Sequence, residues 1–256
     1  MGMDFSRILG IVRAMPWANE LSDEAVLRAA EAAFAEVKFK PSETPKIIRI
    51  AGQSGSGKTT QLLPAVLASI NADDYITVAV RDFVKFYPNA EKFDPKEVRE
   101  KTNGFALAVL AVVLLKLIYA RANIVLDLTL LTTEFEAEVL TALKHNGYER
   151  VYQIMAVPRS TSDKHIEKRE RETGRSVSLV SKEFFFNVLE PATSFLAEND
   201  PKSSVSLWGA FKPEPLYSGE IELAPKFLSL GRAEILPQKH TEKELLKFKK
   251  KFLGNL

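Results

Sequence analysis

The chain has 256 residues and no cysteine. That removes disulfides, thiolate metal sites and a cysteine nucleophile from consideration together. An excess of one charge is also missing. Its 35 lysines and arginines face 33 aspartates and glutamates, a formal net charge of +2, so the balance points to neither a nucleic-acid nor a membrane partner. His145, His165 and His240 stand far apart without ligand spacing and are expected at the surface. No apolar run reaches the roughly 20 residues of a bilayer span. The longest, Phe105 to Ala120, is broken by Lys116 and leads directly into a strand, which suits a buried core helix. Met1 to Gly10 lacks a continuous apolar segment with a small-residue cleavage site, so a cytoplasmic location is expected.

What is present is ordinary in bulk and specific in one place. The apolar share of 46% and the charged share of 27% suit a single large α/β domain. A short apolar strand, Ile47 to Ala51, runs into Gly52-Gln53-Ser54-Gly55-Ser56-Gly57-Lys58-Thr59-Thr60, and a helix is predicted from Thr60 to Ile70. This is the phosphate-binding P-loop with both of its required neighbours. The glycines let successive N–H groups curl toward phosphate oxygens, and the helix N-terminus adds its positive dipole end. Lys58 reaches the β- and γ-phosphates, and the Thr59 hydroxyl is a ligand for Mg²⁺. A nucleoside triphosphate, ATP or GTP, with Mg²⁺ is the expected cofactor set.

From Lys46 onward strands and helices alternate, which predicts a mostly parallel sheet between helical layers, the three-layer P-loop NTPase/kinase fold. Strands are expected at Tyr75–Val80, Ile124–Leu128 and Arg150–Val157, with short candidates at Val205–Trp208 and Ile221–Leu223. Helices are expected over Lys96–Arg121, Thr133–His145, Thr161–Glu172 and Ser181–Ala197, the last kinked at Pro191. Three regions result: a helical N-terminal extension over 1–44, the kinase domain over 45–235, and a C-terminal helix over 236–256 opened by the capping box Thr241-x-x-Glu244. In the extension, Ser22 caps a helix whose apolar stripe runs from Val26 to Val37. The stripe is expected to pack on the core; a detachable partner-binding or inhibitory module is the alternative. Trp17 and Trp208 read as packing residues.

Phosphoryl transfer needs a donor cradle, a metal, charge neutralisation and a base near the acceptor hydroxyl. Candidates collect at the strand ends: Arg81-Asp82 after the second strand, Asp127-Leu128-Thr129 after the third, and Lys168, Arg169, Arg171 and Arg175 after the fourth. Asp127 is either a carboxylate holding Mg²⁺ through water or a contact to the acceptor. The charged helix as a whole reads as a solvated face with pairs such as Glu167–Arg171. Arg169 and Arg175 bracket Thr173-Gly174, a hinge that would let both guanidiniums close over the phosphates.

With these residues in view the chain resembles the zeta toxins, the kinase half of bacterial epsilon/zeta toxin–antitoxin systems. The resemblance runs through the P-loop, Phe83-x-x-x-x-Pro88-Asn89, Ile124 to Thr129 with Thr132-Thr133, and Met155-Ala156-Val157-Pro158 with the arginine-bearing segment behind it. It implies transfer of the ATP γ-phosphoryl to a sugar hydroxyl of a nucleotide sugar such as UDP-N-acetylglucosamine, and a small helical antitoxin as partner. It also implies roles: Lys58 and Thr59 on the donor phosphates and Mg²⁺, Arg169 and Arg175 on the transferring phosphoryl, Asp127 and Thr129 on the acceptor. The acceptor side departs from the pattern. The family's catalytic aspartate falls on Arg81, and a guanidinium is no base at neutral pH. Asp82 takes that role only if the backbone is irregular there, because strand neighbours face opposite ways. Asp127 replaces a glutamate, Leu128 a glycine and Leu131 an arginine. Two other readings follow: a kinase for another acceptor, such as a nucleotide cofactor or an antibiotic, or a catalytically weak nucleotide-binding relative.

Overall fold

The computed structural model describes residues 4–16, 22–93, 95–174, 177–209 and 214–232. Its elements in chain order are α1 (Ser6–Arg13), α2 (Asp23–Glu36), β1 (Lys46–Gly52), α3 (Leu63–Ala68), β2 (Ile76–Ala79), α4 (Pro95–Tyr119) and β3 (Ile124–Asp127). Then follow α5 (Thr133–His145), β4 (Glu149–Met155), α6 (Arg159–Thr173), α7 (Leu179–Asn199), β5 (Ser204–Trp208), β6 (Tyr217–Glu220) and α8 (Ala224–Arg232). The C-terminal helix with Thr241 and Glu244, together with Trp17 and His240, lies outside the described residues.

Every residue of β1 after Lys46 is buried, as a central parallel strand covered on both faces must be. The sheet order is β2-β3-β1-β4-β5-β6, all parallel except β6, which runs antiparallel to β5. Asp127 pairs with Ile50 on one side and Ala79 on the other. β2 and β3 therefore end level, β1 runs on through Ala51 to Gly52, and the loops that follow them leave the same edge of the sheet. The sequence expectation fails at the far edge. Ile221–Leu223 is a short 3₁₀ turn, and the strand is Tyr217–Glu220 instead. Ile221 is buried against α7 and α8 neighbours such as Leu189 and Leu228, while the edge strand is largely exposed and carries little apolar signal.

Ile48, Ile50 and Val125 point to one face and pack against Leu62, Leu63 and Val66 of the P-loop helix. Ile47, Ile124 and Leu126 point to the other and join α4 and α5. The helix predicted from Thr60 begins as a π-type turn over Lys58–Leu62, and α3 starts where Pro64 fits a first turn. α7 runs through Pro191 as one helix.

α4 is buried almost all the way round from Phe105 to Ile118 because α1 and α2 cover the side the sheet does not. Its stretch Lys101–Tyr119 is long and apolar enough to cross a membrane, but 83% of that window is buried inside this molecule. The stripe Val26, Ala29, Ala30 and Ala33 of α2 belongs to the same core as Val109 and Val112. Lys116 ties the two helices, its Nζ 2.5 Å from Glu31 and above the Phe34 ring. The segment joining α2 to β1 is stapled down. Arg121, in the left-handed region at φ +58°, donates from its side chain to the carbonyls of Ser42, Glu43 and Asn146.

Candidate active site

The P-loop leaves β1 with Gly52 at φ +143° and reaches Gly55 at φ +77°, both backbone states that favour glycine. A side chain would also find no room. A Cβ on Gly52 would lie 2.8 Å from the Met155 Cβ, and one on Gly55 would run into the Ser162 carbonyl of α6. Gln53 is buried, and its amide donates to the Val157 carbonyl (2.6 Å) and the Ser162 hydroxyl (3.0 Å). His165, expected at the surface, is instead half-buried, with Nδ1 2.8 Å from the Gly55 carbonyl. A carbonyl only accepts, so Nδ1 carries the proton in this contact. Ser162, His165, Ile166 and Arg169 follow at helical spacing, so Arg169 lies one turn along the face of α6 that grips the loop.

Ser56 is fully buried, Ser54 and Lys58 are half-buried, and Thr59 and Thr60 are exposed. The Thr59 hydroxyl donates to Asp127 Oδ2 at 3.0 Å. The Asp127 side chain is 2% exposed, and its Oδ1 has no hydrogen-bond partner. Thr129 is buried beside the loop, its hydroxyl 3.4 Å from the Gly52 N–H. The structure thus brings together Thr59, Asp127 and Thr129. Arg175 lies outside the described residues.

β2 ends at Ala79, and Val80–Phe86 coils into a 3₁₀ turn, the irregular backbone that Asp82 would need. The turn sends the two neighbours different ways. Arg81 Nη1 reaches Asp127 Oδ2 at 2.8 Å, whereas Asp82 Oδ2 turns back to accept from the Ala79 N–H at 2.8 Å. Asp82 Oδ1 stands 3.8 Å from Arg81 Nε, and its side chain is 46% exposed. The turn is braced from behind by Lys85, which pairs with Glu36 of α2 at 2.5 Å.

Sequence reasoning missed one further group. Arg49, on β1, forms a buried ion pair with Glu136 of α5, and Glu136 also accepts from the Leu131 N–H at 2.8 Å. The pair fixes the loop that carries Asp127 and Thr129. An arginine inside the apolar phrase Ile-Ile-Arg-Ile-Ala was the available signal. Among the described residues, no three His, Cys, Asp or Glu side chains gather as a metal cage.

Three comparisons bear on this geometry. The family model described as Zeta toxin matches residues 31–206. The zeta toxins of Streptococcus pyogenes and Enterococcus hirae are each 27% identical over 126 residues, 48% of this chain and 43% of theirs. The chain therefore covers less than half the length of these relatives. A chain from the PezAT chromosomal toxin–antitoxin system of Streptococcus pneumoniae has the same fold, with a TM-score of 0.65 at 21% identity over 93% of this chain and 98% of that one.

Proposed function

The chain belongs to the zeta toxin family, and from that membership and the site geometry we propose that it is an ATP- and Mg²⁺-dependent kinase. Its acceptor in this reading is a hydroxyl of a nucleotide sugar such as UDP-N-acetylglucosamine. The observation that carries the proposal is the Thr59–Asp127 contact at the mouth of a glycine-built loop. It sets a hydroxyl and a buried carboxylate, with Oδ1 still open, where a cation beside the loop would be held. This favours the metal-side role for Asp127 over the acceptor contact. Bound Mg²⁺ would supply neutralisation of the β- and γ-phosphate charge.

In the proposed reaction the acceptor oxygen forms a bond to the γ-phosphorus and the bond from that phosphorus to the β–γ bridging oxygen breaks. ADP leaves, and the acceptor proton passes to a base. Lys58 binds the donor phosphates. Arg169, aligned with the face that grips the loop, stabilises the moving phosphoryl, and the family resemblance assigns Arg175 to the same task. Thr129 orients the acceptor from its place beside Gly52. Asp82 is the base, using the oxygen not engaged by Ala79. A small helical antitoxin is the proposed partner, and the cytoplasm the proposed location.

The experiment is mass spectrometry of the protein with ATP, Mg²⁺ and UDP-N-acetylglucosamine, with Lys58→Ala as the blank. The expected result is one added phosphoryl on the sugar nucleotide. Asp82→Asn still accepts from Ala79, so it keeps the turn and should lower the rate about 10²–10⁴-fold. The second reading, a nucleotide-binding protein with little transfer activity, draws on Arg81 occupying Asp127 and Asp82 capping its own turn. Persistent ADP and ATP binding without product from any acceptor would favour it.

A further inference from the structure

Asp127 is the most deeply buried carboxylate at the mouth of the loop, and a buried carboxylate needs a positive partner or a cation. The Thr59 hydroxyl supplies only a dipole. Full charge comes from Arg81, whose Nη1 shares Oδ2 with the Thr59 hydroxyl at 2.8 and 3.0 Å. The Arg81 side chain is 53% exposed, so it enters from the rim and can leave by it. The 3₁₀ turn that aims it is fixed at both ends, by the Asp82 cap on Ala79 and by Lys85 on Glu36.

A divalent ion held beside Thr59 and Asp127 would meet this guanidinium at close range. The Thr59–Asp127 hydrogen bond can persist with a cation present, because the hydroxyl oxygen keeps lone pairs free while its proton points to Oδ2. The Arg81–Asp127 pair opposes such an ion, since it sets a like charge within a few ångströms of it on the same carboxylate. We propose that Arg81 is a resident counter-ion of Asp127 that competes with the divalent cation and must release the carboxylate before a metal–nucleotide complex seats. This rests on the reading of the site as a Mg²⁺–nucleotide site. The chain thereby holds its metal-side carboxylate neutralised at rest, and metal-dependent nucleotide binding carries the work of breaking an ion pair.

The test is calorimetric titration of the full chain with ADP, in EDTA and in saturating Mg²⁺, for the wild type, Arg81→Met and Arg81→Lys. The ratio of the two dissociation constants measures how much the metal adds, and it cancels any general loss of attraction for phosphate. Arg81→Met should raise that ratio about fivefold or more, with Arg81→Lys between it and the wild type. An unchanged or smaller ratio with ADP still bound overturns the counter-ion role alone. Absence of ADP binding to the wild type under both conditions overturns the nucleotide-site reading, and the proposal with it.

Discussion

His165 illustrates how one hydrogen bond can matter more to a site than to a fold. Its Nδ1–H holds the Gly55 carbonyl outward, and the planar peptide then fixes the opposite direction for the Ser56 N–H. That N–H now returns to the Gln53 carbonyl at 3.1 Å, closing the loop on itself. The imidazole is half-buried and lies on a helix face already seated on the loop by Ser162 and Ile166, so its loss should leave the fold intact. His165→Ala should weaken ADP binding about fivefold, the worth of one such bond, with little change in unfolding midpoint. Asparagine places an N–H donor near the same position, so His165→Asn should recover much of the affinity. Calorimetry on both variants checks this, and equal affinity in all three proteins would assign His165 to packing only.

Between elements, the strongest cross-link near the site is Arg49 of β1 with Glu136 of α5. Both side chains are buried, so removing one partner strands the other's charge away from water. Glu136→Ala should therefore cost about 3–5 kcal/mol in urea unfolding. The double variant Arg49→Met/Glu136→Leu removes both charges and leaves only the Leu131 N–H unpaired, a loss of about 1–3 kcal/mol. A double variant as unstable as the sum of the singles would contradict this account. The contrast also marks what sequence pattern can and cannot carry. β1 was legible because an apolar run leading into a glycine-rich loop is a local signal. Its ion pair with α5 was not, because it depends on which helix the β1 face meets across 87 positions of chain. The same holds for Arg81. Its motif alignment can be read along the chain, but its contact with Asp127 depends on the β2–β3 register and on a turn that breaks strand alternation. His165 was misjudged for a related reason: isolation along the chain says nothing about the loop 110 positions away.

At the scale of the whole molecule, the question is whether the N-terminal helices form a separable unit. A linker composition around Lys40 to Pro45 suggests separation, whereas the apolarity of α4 on every side requires a cover. The packing argues against separation. Ala30 is fully buried against the α4 core, Arg121 binds the joining carbonyls, and Pro41 makes a bridge to Ala122. Opening α1 and α2 would expose a face of α4 that includes buried valines and leucines, at about 25 cal/mol for each Å² of apolar surface. It would also free the turn braced by Glu36, and so the aim of Arg81. A detachable module would open at far lower cost than the core and exchange its amides early. Hydrogen exchange should therefore find the amides from Ala29 to Ala33 protected to the same degree as those of Val109 to Val113, both set by global unfolding. Protection in α2 weaker than in α4 by several orders of magnitude would mean that α2 opens on its own, and would make the N-terminal helices a mobile element able to govern the Arg81 turn.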